Sequence, residues 1–85
     1  MKGYEELSIK SNMNLTIPGE RFIISNINTS EKTKNRLYDI GITKGTEVVH
    51  LFDSPPGDPS AYFVRNTIIA LRKSETQKIE VFIIE

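Results

Sequence analysis

The sequence predicts a mostly β domain with one inserted helix, bent into a small barrel of about five strands. Three observations carry this reading. Runs rich in β-branched and aromatic residues recur at Glu20–Ile27, Glu47–Phe52, Ala61–Arg65, Thr67–Arg72 and Ile79–Ile84, each bounded by turn residues. One stretch, Glu31 to Ile40, has helical start and stop signals on either side. Eighty-five residues hold a single core and no second domain. A sandwich needs more strands, and a ferredoxin-like fold needs a second full helix, for which Ser74 to Lys78 is too short.

Met1 to Asn12 carries Tyr4, Leu7 and Ile9 without a sustained period, and Lys10-Ser11-Asn12 is loop-like. Residues 1–12 therefore read as an N-terminal extension to a domain at 13–85. A frayed tail is the plain expectation, and an arm that touches a partner is the alternative. Pro18-Gly19 is a turn signal before the first strand. There Phe22 and Ile24 share a face while Ile27 has the opposite parity; a bulge near Ser25-Asn26 turns all three inward.

Ser30 is a good N-cap, and Glu31 puts an acid in the first turn, where the helix dipole favours it. Leu37 and Ile40 face inward. Gly41 then lets the chain leave in the left-handed conformation, and Ile42 folds back onto the helix. Thr43-Lys44-Gly45-Thr46 is turn chemistry. Pro55-Pro56-Gly57-Asp58-Pro59 is a stiff turn that can be neither strand nor helix. Asn66-Thr67 is a tight reversal, Asn tolerating positive φ. Lys73 to Lys78 is a polar connector with one turn of 3₁₀ helix at most.

Eleven basic and eleven acidic side chains cancel, which leaves no net field to attract nucleic acid or an anionic membrane. With no cysteine, disulfide scaffolds, thiolate zinc sites and cysteine nucleophiles are excluded, and a reducing compartment fits. No apolar run approaches the roughly 20 residues of a spanning helix. The start is polar and acidic, without a signal core, so the expectation is a soluble cytoplasmic protein that is not membrane-inserted. Lys32, Lys34 and Arg36 read as a solvated helix face rather than an anion site, and no glycine-rich phosphate loop precedes them. No nucleophile-and-base pair can be assembled around the single histidine, so the reading is non-enzymatic, with no cofactor.

The run Arg36-Leu37-x-Asp39-x-Gly41-Ile42-x-x-Gly45-Thr46-Glu47-Val48, then Pro55-x-Gly57-Asp58-Pro59, then Ala70-Leu71-Arg72, resembles the ferrous iron transport protein A (FeoA) family. The likeness is in gap-free register from Arg36 to Leu71 and looser from Pro18 to Val81. It implies an SH3-like β-barrel and a small cytoplasmic accessory protein of ferrous iron transport. The implied partner, which the protein would bind and regulate, is a membrane-embedded iron permease carrying its own G domain. The sequence departs from the family pattern in places. Members set two leucines three apart before Pro-Gly where this chain has Met13 and Thr16, and often an apolar residue at His50. Asn66 stands where glycine is usual.

Iron transport raises the question of a metal site. Ferrous iron accepts imidazole and carboxylate, so His50, Asp53, Asp58 and Glu47 are the residues to consider. No His-x-x-x-His or Glu-x-x-His pair exists, and Asp58 is explained by hydrogen bonding within a Gly-Asp-Pro turn. His50 shares a strand face with Val48 and Phe52 and reads as a partly buried structural histidine. No metal ligands are assigned, and the chain is expected to fold in chelator.

Recognition of the permease is expected through a hydrophobic cleft. Its walls are the helix end (Leu37, Ile40, Ile42) and a neighbouring strand, framed by the proline loop. The strands are apolar on both faces. Taking Val48, Tyr62, Val64, Ile69, Leu71, Val81 and Ile83 as inward leaves Val49, Phe63, Ile68, Phe82 and Ile84 outward. Phe52, Phe63 and Ile68 are accordingly further candidate contacts, and a homo-oligomer built around Phe63 and Ile68 is expected unless other elements cover this face. Two alternative readings stand. One is a stand-alone relative of the SH3-like C-terminal domain of iron-dependent repressors, although no helix-turn-helix pattern precedes Pro18. The other is a small-barrel nucleic-acid binder, which lacks the basic stripe such modules carry.

Overall fold

Among the described residues six strands, one more than the sequence pattern suggested, form a single antiparallel sheet in the order β1-β6-β2-β3-β4-β5. They are β1 (Ser8–Asn12), β2 (Arg21–Ile27), β3 (Glu47–Asp53), β4 (Ser60–Val64), β5 (Thr67–Leu71) and β6 (Ile79–Ile84). A 3₁₀ turn, Met13–Leu15, follows β1; helix α1 is Glu31–Asp39 and a short α2 is Lys73–Thr76. The computed structural model describes residues 8–84, so Tyr4 and Leu7 lie outside the described residues.

The additional strand is β1. Ser8 to Asn12 run alongside Ile84 to Glu80, so this part of the N-terminal segment is a sheet edge. Its sequence hid this, because an edge strand with one apolar residue, Ile9, has no alternation to read. The neighbouring β2 behaves as its parity requires. Its pairing with β6 shifts register between Ile24 and Asn26, and that bulge lets Phe22, Ile24 and Ile27 all be buried.

Helix α1 starts where Ser30, in an extended conformation, accepts a hydrogen bond from the Thr33 N–H at 3.3 Å. It ends in a Schellman arrangement. Gly41, at φ +97°, donates to the Tyr38 carbonyl at 3.0 Å, and Ile42 donates to the Leu37 carbonyl at 2.9 Å. The second bond brings Ile42 back over Leu37, and both join the core with Met13, Phe22, Val48, Tyr62, Val64, Leu71, Ile79 and Val81. Ile69 and Ile83 pack against that core while Phe63 and Ile68 are exposed, as the inward and outward sets require.

The β4–β5 hairpin turns at Arg65-Asn66, with φ of 50° and 63°, one residue earlier than Asn66-Thr67. Val64 pairs with Thr67, so the two residues between them form a type I′ turn that matches strand twist. The sequence had assigned Arg65 to the strand. The proline loop is closed by Ser54, which donates from its N–H to the Pro59 carbonyl at 3.0 Å and accepts at its own carbonyl from Gly57 at 2.6 Å. The Asp58 side chain reaches out of its own turn: its Oδ1 accepts the Lys73 N–H at 3.0 Å and so caps α2. Arg36 and Glu75 form an ion pair that ties α1 to α2.

Candidate functional site

Where α1 ends, the chain leaves a recess beside the β4–β5 hairpin. Its volume is about 430 Å³, and it is lined by Tyr38, Asp39, Ile40, Gly41, Val64, Arg65, Thr67 and Ile69. The local sequence explains the opening. Gly41 has no side chain to fill it, and the Schellman turn directs Ile42 into the core rather than outward. Arg65 lies across the glycine, its Cδ within 3.1 Å of where a Cβ would stand, and its guanidinium donates to the hydroxyls of Thr43 and Thr46, both at 3.3 Å. The result is a concave surface with apolar walls from Tyr38, Ile40, Val64 and Ile69 and one charge of each sign at Asp39 and Arg65.

A recess opens at the helix end, and its walls differ in two ways from those expected. Leu37 and Ile42 are 1% and 0% exposed; they are core residues that hold the helix end, and of the expected three only Ile40 lines the recess. An apolar residue beside a helix stop has the same appearance whether it fills a core or walls a groove. The frame is the β4–β5 hairpin, not the proline loop, which contributes no lining residue. Tyr38, Arg65 and Ile69 were not foreseen. Phe52, Phe63 and Ile68 lie elsewhere, 57%, 39% and 62% exposed, and do not line the recess.

A second, closed constellation surrounds His50, which is 2% exposed. Its Nδ1 lies 2.9 Å from Thr16 Oγ1 and its Nε2 lies 2.7 Å from Asp53 Oδ1. The Thr16 hydroxyl donates to the Met13 carbonyl at 2.7 Å, and the Ser60 hydroxyl donates to Asp53 Oδ1. The Tyr62 ring centroid is 4.8 Å from that of the imidazole. The Ser60 hydroxyl, then His50, hold the Asp53 carboxyl below its ordinary value. Burial pushes the Tyr62 phenol up, partly countered by the Ser60 hydroxyl. His50 is thus a buried, structurally bonded histidine, more enclosed than the sequence suggested. Thr16 and His50, two positions at which the sequence departs from the family pattern, are bonded to each other. Among the described residues, no three His, Asp or Glu side chains converge in a way that could hold a metal ion. Among the same residues no helix is long and apolar enough to cross a membrane.

Comparison with known proteins supports the expectation drawn from the motif run. The model of the FeoA domain matches residues 12–82. The NMR structure of FeoA protein from Chlorobium tepidum superposes with a TM-score of 0.83 at 23% identity, covering 88% of this chain and 71% of that one. A FeoA-like protein from Clostridium acetobutylicum gives 0.77 at 30% identity, covering 85% and 84%. FeoA from Stenotrophomonas maltophilia, solved with zinc and described as an SH3 domain protein, gives 0.65 at 26% identity over 84% and 88%. No curated protein matches the sequence. The fold is the SH3-like one, and the chain belongs to the FeoA domain family, whose members are non-catalytic proteins associated with ferrous iron transport.

Proposed function

We propose that this chain is a cytoplasmic accessory protein that binds and regulates a G-domain-bearing ferrous iron permease, and that the recess between α1 and the β4–β5 hairpin receives a segment of that partner. The observation that carries the proposal is the recess itself: an apolar concavity of about 430 Å³ kept open by a glycine and flanked by an exposed tyrosine. Pockets with apolar walls and few polar groups suit an inserted side chain, and aromatic residues at their rim commonly dominate binding energy. The family association with ferrous iron transport supports the choice of partner. The Stenotrophomonas maltophilia FeoA has itself been proposed as an activating factor of that transport, which favours activation as the sense of regulation here.

The test is binding to the purified cytoplasmic domain of the cognate permease, measured by calorimetry. Tyr38 is exposed, so Tyr38→Ala keeps the fold and should weaken binding by about tenfold or more, the loss typical of a hot-spot aromatic. Lys44→Ala, on an exposed turn outside the recess, should bind like the parent. Unchanged binding by folded Tyr38→Ala would remove the recess from the proposal. Absence of binding to any part of the permease would remove the partner.

A further inference from the structure

The strand at one end of the sheet order, β5, is an edge whose sequence does nothing to protect it. The Val64–Thr67 pair closes a two-residue turn and is therefore hydrogen-bonded, and pairs along an antiparallel ladder alternate. Tyr62–Ile69 and Ser60–Leu71 are then bonded pairs, while Phe63–Ile68 and Ala61–Ala70 are not. The N–H and C=O groups of Ile68 and Ala70 consequently point away from β4, where no strand follows among the described residues. Native edges commonly carry a lysine, a proline or a bulge that discourages pairing. The opposite edge, β1, has Lys10 exposed at its centre. β5 is Thr-Ile-Ile-Ala-Leu and has none of these devices.

The recess opens on the inner side of this same edge. Thr67 and Ile69 line it from β5, and Tyr38, Asp39 and Ile40 line it from the end of α1. On the footing that the recess receives a permease segment, we propose that this segment is an extended strand that pairs antiparallel with β5 and turns alternate side chains into the recess. The backbone groups of an edge strand are matched by another strand, and pockets for alternate side chains then give specificity. Antiparallel pairing is the stabler form. A strand added at the usual spacing of about 4.8 Å carries its inward side chains on the face of Thr67 and Ile69. The residue opposite Ile69 forms a non-hydrogen-bonded pair with it, the closer kind, so an apolar side chain belongs there. The residue opposite Ile68 faces outward and extends the apolar row Val49-Phe63-Ile68 by one strand.

Ala70→Pro removes an N–H that β4 does not use, and proline is tolerated at such edge positions. In calorimetry with the purified cytoplasmic domain of the cognate permease, folded Ala70→Pro should bind about tenfold or more weakly. In the parent, saturation with that domain should slow hydrogen exchange of the Ile68 and Ala70 amides by about tenfold or more, a readout that needs no variant. Weakened binding by Tyr38→Ala with unchanged binding by folded Ala70→Pro would keep the recess and overturn the strand. Ile68 and Ala70 amides that exchange as fast in the complex would overturn it as well, whatever the variant does. Slowing of the same amides in the protein alone as its concentration rises would give the edge to a second copy instead. Absence of binding by the parent would remove the recess reading and the added strand together.

Discussion

The two ends of β4 do opposite things with the same backbone. At its start, Ser60 joins a filled polar cluster in which His50 bonds both Thr16 and Asp53, across three segments of chain. At its end, Val64 lines an open apolar recess beside a glycine. Four positions separate a closed polar brace from an open recess. The difference lies in what the neighbouring turn supplies. Asp53 and Ser60, on the strand ends that flank the proline loop, bring a carboxylate and a hydroxyl, and Thr16 brings a second hydroxyl, so polar groups find partners and close the space. The Schellman turn of α1 brings an αL glycine and buries its next residue, so neither side chain fills the recess and only Arg65 lies across the glycine. Each end can be perturbed separately, and the expected effects differ in size.

The largest effect on stability is expected at Gly41. A φ of +97° is costly for any side chain and most costly for a β-branched one. A Cβ there also meets Arg65 Cδ at 3.1 Å, although that side chain can swing away. Gly41→Val should lose about 2 kcal/mol or more in a urea titration, with the slope unchanged. Stability equal to the parent would mean that the helix ends without an αL residue and that the recess does not depend on the glycine.

How much of this was written in the sequence depends on the range of the interaction. The N-cap at Ser30, the stop at Gly41 and the bulge after Ile24 are local, each set by side chains within a few residues, and each was legible. The recess was half legible: the helix end was identified, but Leu37 and Ile42 were placed on its wall and Tyr38 was not. Apolar spacing marks a face and not how deep that face lies. The His50 partners were not legible in the same sense. Thr16 is thirty-four positions away, and nothing local distinguishes a threonine that caps a histidine from one in a turn. Asp58 was misread for the same reason, its bond reaching fifteen positions to Lys73.

A middle-sized effect belongs to the polar end and to acid. The Ser60 hydroxyl and His50 favour the charged form of Asp53, so its folded-state pKa lies below the unfolded one. A carboxyl so placed contributes stability above its unfolded pKa, about 3.9, and loses that contribution as pH falls through the lower folded value. The side chain is 40% exposed, so solvent screening keeps the contribution modest. The protein should become easier to unfold as pH drops below about 4, and Asp53→Asn should lose part of that dependence. A variant with the parental acid profile would place the acid sensitivity elsewhere and weaken the contrast between a polar brace and an apolar recess.

The smallest effect on stability, and the sharpest on association, is expected on the outer face that both ends share. Phe63 on β4 stands between Val49 on β3 and Ile68 on β5 in direct cross-strand register, which sets three apolar side chains in a row. Phe63 and Ile68 are exposed, and β5 ends the sheet order, so the row runs out to an edge strand. A second copy related by a two-fold axis could cover the row with the same row, and each large side chain so buried contributes roughly 1.5–3 kcal/mol. We therefore expect the parent to sediment as a dimer and Phe63→Lys as a monomer in analytical ultracentrifugation. The substitution replaces an exposed side chain, so the folded monomer itself should change by no more than about 0.5 kcal/mol. A parent that remains monomeric at high concentration would rule out self-association and return Phe63 and Ile68 to the ordinary exposed surface.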